Sequence, residues 1–177
     1  RIGLGVTGLA DALILCTVRY GSAASVALTE RWMKLIRDAA YAASVALARE
    51  KGPFPLFDAE AFLAGPGVAA LDAKLRKAIA RHGIRNALLT SIAPTGTISL
   101  LAGNVSSGIE PVFAFRQQRR VLQPDGTPRQ HEVTNSAYAR FREMFGSEAE
   151  LPAYFVDSQS LAPGDHLAMQ AAAQSFV

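Results

Sequence analysis

Residues 87–92, ALLTSI, run directly into residues 93–111, APTGTISLLAGNVSSGIEP. The first six residues are mostly apolar with β-branched members and read as a short buried strand. Pro94-Thr95-Gly96 follows as a turn, and Ile98 to Ala102 reads as a short helix closed by Gly103-Asn104. Strand, tight turn and helix in that order point to an α/β arrangement. Pro94 lacks an N–H and fixes its own φ. Gly96 lets a ligand approach the backbone with no Cβ in the way. Thr95, Thr97 and Ser99 each bring a hydroxyl donor. A helix starting near Thr97 presents its first N–H groups unpaired, which suits an anion without any lysine. The ligand so implied is a phosphate or diphosphate. No Lys follows the glycine, and the spacing is not that of a P-loop. A second reading stands beside this one: a plain Pro/Gly turn capped by Thr97 or Ser99.

Working outward, Ser22 to Lys51 is helical in pattern, as one bent helix or two, with Ser22 or Ser25 as cap and Gly52-Pro53 as stop. Trp32, Leu35, Ile36, Ala39 and Ala43 recur at helical spacing and predict its buried face. Residues 52–67 read as a loop holding a helical piece from Ala59 to Leu63. Leu71 to His82 is a further helix with Gly83 just past its end and basic residues in its last turns. On the other side, Val112 to Leu122 includes a strand, and Pro124-Asp125-Gly126 turns a surface hairpin or excursion. Ser136 to Phe145 is a helix ended by Gly146. Tyr154 to Val156 reads as a strand, and Asp165 as the N-cap of a last helix, His166 to Phe176. The fold class is α/β, helix-rich with few short strands.

Bulk properties narrow the functional classes. Half of the 177 residues are hydrophobic, which argues for a buried core and against disorder. The net charge of +3 is too mild for a nucleic-acid binder. No apolar run approaches the ~18 residues of a membrane span. A leader is not evident at Arg1, and the chain reads as a fragment of a longer one. Its single cysteine, Cys16, excludes an internal disulfide and a cysteine-cluster metal site, and makes a reducing cytoplasm the default. Cys16 lies in the apolar stretch LADALILC and reads as a small buried thiol. His82, His131 and His166 share no ligand spacing.

Gly3, Gly5 and Gly8 spell GLGVTG, a formal match to the dinucleotide fingerprint. Almost nothing precedes Gly3, and the downstream acid, Glu30, falls inside a helical pattern. The glycines are better read as permitting a tight turn and close packing.

The whole series of motifs resembles the large, catalytic subunit of ribonucleotide reductases. APTGTISLLAGNVSSGIEP is similar to that family's substrate-diphosphate segment. RIGLGVTGLADAL resembles the segment after its radical cysteine, GIRNALLTSIAPTGT the approach to its phosphate loop, and HLAMQAAAQSFV the helix beyond. The wording of the loop is closest to the adenosylcobalamin-dependent class. The resemblance implies that residues 1–177 are a single fragment of a catalytic domain, a ten-stranded α/β barrel of two five-stranded halves. Pro94, Thr95, Gly96, Thr97, Ile98 and Ser99 would bind the substrate phosphates. Glu110 and Pro111 match the family's Gly-Ile-Glu-Pro, with Glu110 either a buried acid paired with an arginine or a ligand contact.

The radical cysteine and its flanking asparagine and glutamate would lie upstream of Arg1. The fragment would therefore hold no catalytic residue and no metal ligand, and would be inactive alone. The full enzyme would be a cytoplasmic oxidoreductase of deoxyribonucleotide synthesis for DNA replication. It would act on ribonucleoside di- or triphosphates, use adenosylcobalamin and a thioredoxin-like reductant, and form a homodimer. Nucleic acid and membrane are not among the implied partners. The alternatives are a non-catalytic phosphate- or nucleotide-binding α/β module, and a nicotinamide-dependent oxidoreductase using Gly3, Gly5 and Gly8.

Overall fold

The computed structural model describes residues 1–177. Its helices are α1 (Leu9–Leu15), α2 (Ala23–Lys51), α3 (Ala59–Leu63), α4 (Pro66–Ala69), α5 (Ala73–His82), α6 (Gly96–Leu101), α7 (Ser136–Phe145) and α8 (Pro163–Gln174). The strands β1 (Arg116–Leu122) and β2 (Pro128–Thr134) form one antiparallel pair, with Arg119 opposite His131. No helix is long and apolar enough to cross a membrane. The chain divides into two compact units.

One unit comprises Arg1–Gly5, Leu28–Ile92 and Ala172–Val177. Its core gathers Val45, Val68, Leu71, Leu75, Ile79, Ile84 and Leu89, flanked by the mutually packed rings of Phe54, Phe57 and Phe62. Asp58 and Asp72 cap α3 and α5 by accepting from Ala61 N–H and Leu75 N–H at 2.8 and 2.7 Å. Leu71 thus precedes α5 and drops into the core. The loop expected to run to Gly67 ends in the single turn α4, residues 66–69, with Pro66 at its first position.

The long helix is a single element, and its buried face is not the predicted one. Thr29, Met33, Arg37, Ser44, Val45 and Ala48 are buried; Leu35, Ala39 and Ala43 are exposed, and Trp32 and Ile36 lie half-buried. Polar anchoring sets this rotation. Ser44 Oγ donates to Asn86 Oδ1 and accepts from Asn86 N–H, both at 3.0 Å. Arg37 stacks over the Phe176 ring at 5.1 Å while holding Asp38 Oδ1.

Residues 87–92 do not form a strand. Ile2 N–H donates to Leu88 O, Leu4 N–H to Leu89 O and Ser91 N–H to Leu4 O, so the pairing amounts to one parallel bridge, Leu4 with Thr90. The segment is paired by a short piece along one edge, too little for a ladder. Gly5 serves this approach: a Cβ there would sit 2.6 Å from Ser91 O.

The other unit comprises Val6–Ala27 and Ala93–Ala171. Here α1 packs against α7, and Leu9, Leu13, Ile109, Val112, Phe141 and Met169 are buried. Phe115 stacks on Tyr138 and meets Phe155 edge-on. Asn135 caps α7 by accepting from Tyr138 N–H at 3.1 Å, and Gly146 ends it at φ 95°. Ser22 Oγ caps α2, accepting from Ser25 N–H at 3.2 Å.

Three expectations in this unit need correction. Cys16 is exposed, because it is the C-cap of α1 and falls one residue past exposed Leu15, off the buried side. Tyr154 to Val156 is not a strand: residues 152–155 make a turn, with Phe155 N–H on Pro152 O, and only Asp157 pairs, as a lone bridge to Val112. Helix α8 starts at Pro163, so Asp165 stands inside its first turn and accepts from Ala162 N–H at 3.3 Å instead of capping.

Candidate functional site

Helix α6 begins at the glycine of Pro94-Thr95-Gly96. Its N-cap, Thr95, adopts the left-handed conformation at φ 51°, ψ 27°. This is costly for a β-branched residue and persists only where neighbours over-determine it. A closed relay of hydrogen bonds does so. Gly108 N–H donates to Thr95 Oγ1 at 2.7 Å. Thr95 Oγ1 donates to Thr7 Oγ1 at 2.9 Å, and Thr7 Oγ1 donates to Ser106 O at 3.2 Å. Each hydroxyl gives one bond and takes one, and both ends close on the 106–108 segment. Gly108, at φ 51°, is required by the same contact: a Cβ there would stand 2.6 Å from Ala93 O.

With its hydroxyl committed to the relay, Thr95 does not cap the helix. Thr97 and Ser99 do not either. Ser99 Oγ donates to Gly96 O at 2.8 Å, and Ser99 N–H makes the first helical bond, to Thr95 O. The N–H groups of Gly96, Thr97 and Ile98 have no acceptor within the chain. A Cβ on Gly96 would meet nothing within 4 Å, so this backbone is open to approach.

Gly96 and Ser99 line a cleft of about 360 Å³ together with Asn104, Ser106, Ser107, Glu110, Gln117, Arg119 and Asn135. That volume lies at the lower end for small-molecule sites. Of the expected phosphate-loop residues, Gly96 and Ser99 reach the cleft wall; Pro94, Thr97 and Ile98 are solvent-exposed beside it, and Thr95 is in the clasp. Glu110 is exposed on the cleft and joins no ion pair, which removes the buried acid–arginine reading. Its charge acts on the buried Tyr20, whose OH donates to Ile109 O at 2.7 Å. Burial first, and Glu110 second, raise that phenol well above its ordinary pKa.

The structure adds residues that spacing did not bring forward. Asp11 is 4% exposed and accepts from Ser106 N–H at 2.7 Å, Ala137 N–H at 2.9 Å and Asn135 Nδ2 at 2.9 and 3.1 Å. Asn104 Nδ2 donates to Thr134 O at 2.9 Å. The one available signal was Asp11 itself, the sole charge between Ile2 and Val18. No group of three or more His, Cys, Asp or Glu is placed to hold a metal ion. His82 closes α5, with Nε2 3.2 Å from Arg49; His131 is on exposed β2, and His166 is in the first turns of α8.

Comparison with known proteins gives these features a family. The ribonucleotide reductase barrel-domain family matches residues 1–177. The vitamin B12-dependent ribonucleoside-diphosphate reductase of Mycobacterium tuberculosis (strain CDC 1551 / Oshkosh) is 37% identical across 100% of the chain, which covers 25% of that protein. The enzyme of the same name from Thermoplasma acidophilum is 33% identical over 99% of the chain and 23% of its own length. The ribonucleoside-diphosphate reductase large subunit of Caenorhabditis elegans is 40% identical over 70% of the chain and 17% of its own length. The chain thus spans about a quarter of the length of the B12-dependent relatives. With the family match running from Arg1 to Val177, the chain belongs to the barrel domain of ribonucleotide reductase large subunits.

Proposed function

We propose that this chain is the substrate-phosphate-holding part of an adenosylcobalamin-dependent ribonucleoside-diphosphate reductase. The observation that carries the reading is the set of free N–H groups on Gly96, Thr97 and Ile98, at the start of a helix beside an open cleft. A diphosphate accepts hydrogen bonds from such groups and is favoured by the helix dipole. No Lys or Arg occurs between Ala87 and Phe115, so backbone donors must supply most of the neutralisation from this segment. Pro94 shapes the turn, and the exposed Thr97 side chain adds a hydroxyl, while Ser99, whose Oγ donates to Gly96 O, lines the cleft wall. Holding the diphosphate orients the ribose, and remote binding energy of this kind lowers the barrier at the reacting carbon.

In the full-length protein the barrel has ten strands in two halves. Substrate loses its 2′-hydroxyl by radical chemistry on residues outside this chain, and a thioredoxin-like reductant restores the electrons to a homodimeric enzyme. Adenosylcobalamin, when bound, supplies the initiating radical. A corrin is several times the bulk of a nucleoside diphosphate, and the 360 Å³ cleft does not fit it. That cleft is therefore not its seat.

Gly96→Val tests the phosphate loop in the full-length enzyme. The new Cβ meets no protein atom within 4 Å. Thermal stability is expected to hold, while the KM for ribonucleoside diphosphate rises by roughly tenfold or more as backbone approach is blocked. Unchanged KM and unchanged Kd would reduce the loop to a simple turn.

A further inference from the structure

We propose that Asp11 is a positioning residue for the phosphate loop, acting at a distance through Ser106. The inference rests on the reading of residues 94–99 as that loop. Asp11 sits on the buried face of α1 among Leu9, Ala10, Leu13 and Ile14. An apolar residue there would avoid the cost of desolvating a carboxylate, which runs to several kcal/mol when unmatched. Asp11 has no cationic partner. Its charge is balanced by backbone and amide donors alone: Ser106 N–H, Ala137 N–H and the Asn135 side chain. Only a carboxylate offers two oxygens to donors on both sides.

These donors matter because of where they lie. Ser106 and Asn135 both line the cleft that Gly96 and Ser99 line, so one acid ties two parts of its wall together. Ser106 O also ends the relay, accepting from Thr7 Oγ1 and from Gly8 N–H at 2.8 Å. Ser106 Oγ accepts in turn from Ala10 N–H at 3.1 Å. Asp11 therefore fixes Ser106, Ser106 fixes the Thr7 hydroxyl, and Thr7 accepts the bond that holds Thr95 left-handed. The direction of the Gly96, Thr97 and Ile98 N–H groups follows from Thr95.

The test uses the full-length enzyme with three single variants: Asp11→Asn, Thr7→Val and Gly96→Val. Cytidine diphosphate binding is read by titration calorimetry well below the unfolding temperature, and KM and kcat are read separately. Asp11→Asn places an NH2 against donors and is expected to weaken binding about tenfold, with KM following and kcat changing less than about threefold. Thr7→Val leaves the carboxylate intact, cuts the relay, and should shift Kd in the same direction by a smaller factor. The exchanged pair Asp11→Asn with Asn135→Asp restores a donor–acceptor match at one contact and should recover part of the affinity. A residue needed only for folding would move the melting temperature and leave Kd alone. Should Asp11→Asn fail to fold, Thr7→Val decides. If Gly96→Val weakens binding while the folded Asp11 and Thr7 variants do not, this inference falls and the phosphate loop stands. If Gly96→Val is also silent, the loop reading itself has failed.

Discussion

The Thr95 hydroxyl donates to the Thr7 hydroxyl at 2.9 Å, joining positions 88 residues apart. That bond explains how a β-branched residue stays at φ 51°. The strain of such a conformation is of order 1–3 kcal/mol, and neighbours must supply its compensation. It also explains why the threonine at the helix start is not a cap: its oxygen is already used twice.

The relay predicts an ordering at position 95. Thr95→Ser keeps both hydrogen bonds and removes the branch, so stability and nucleotide KM should stay near those of the parent. Thr95→Val keeps the strain and leaves Gly108 N–H without its acceptor, at a cost of about 1–3 kcal/mol. Thr95→Gly relieves the backbone but loses the relay, and should retain more stability than Val while binding nucleotide poorly. Urea unfolding and steady-state KM on the same variants read both halves. Equal stability of Ser and Val at this position would mean that the relay does not hold the turn.

The two glycines of the site are expected to separate stability from binding. Gly108→Ala forces a Cβ to 2.6 Å from a backbone oxygen at positive φ, and should destabilise by more than about 1 kcal/mol. Gly96→Ala meets no atom and sits in a helix, so its stability should hold or rise by a few tenths to ~1 kcal/mol. Nucleotide affinity should nevertheless fall for Gly96→Ala, though less than for Val. Thermal melts paired with calorimetric titration check this; a Gly96→Ala protein with unchanged affinity would show that the backbone there is not approached closely.

Legibility followed the range of the interactions. Helix α7 was readable end to end because its stop signal, Gly146, is local; the cap that the structure adds, Asn135, is local as well. The turn of the hairpin was readable because Pro124-Asp125-Gly126 carries its own chemistry, with Asp125 accepting from Thr127 N–H at 2.9 Å, whereas the second strand, Pro128–Thr134, was not. ALLTSI has a strand's composition, but a strand also needs a partner, and residues 2–4 offer only a bridge. The phosphate-loop residues were named from a motif, whereas the clasp behind them was not. Asp11 meets Ser106 and Ala137 across 95 and 126 positions, and no spacing rule spans such distances.

The face of α2 makes a sharp contrast between neighbours on one helix. Met33 is 3% exposed and Leu35 is 59% exposed, the reverse of what the apolar periodicity predicts for Leu35. Met33→Ala should cost about 2–5 kcal/mol through the cavity it opens. Leu35→Ala should stay within roughly 0.5 kcal/mol. Denaturant midpoints of the two variants decide it. A loss at Leu35 comparable to that at Met33 would show that this face is covered by a part of the protein outside residues 1–177.

Tyr20 predicts an alkaline weakness. Its phenol is raised above the ordinary value of 10.0 by burial and, second, by the negative charge of Glu110. Below that value both folded and unfolded chains keep the proton, and the group adds no slope. Above it the unfolded chain releases the proton while the folded chain retains it. The unfolded state then binds fewer protons, so stability falls as pH rises. Tyr20→Phe removes this slope and costs about 1 kcal/mol at neutral pH, since Ile109 O loses its donor. Some slope should remain from Tyr41, which burial also raises. Urea midpoints between about pH 9 and about pH 11 should therefore fall more steeply for the parent than for Tyr20→Phe. Glu110→Gln lowers the cost of ionising the folded phenol, because it removes the second of the two effects that hold the proton there. The unfolded chain sets the onset at its own pKa, so an unmoved onset with a reduced final loss is the expected pattern, and a parent and Tyr20→Phe with identical alkaline slopes would mean that this phenol is not buried in solution.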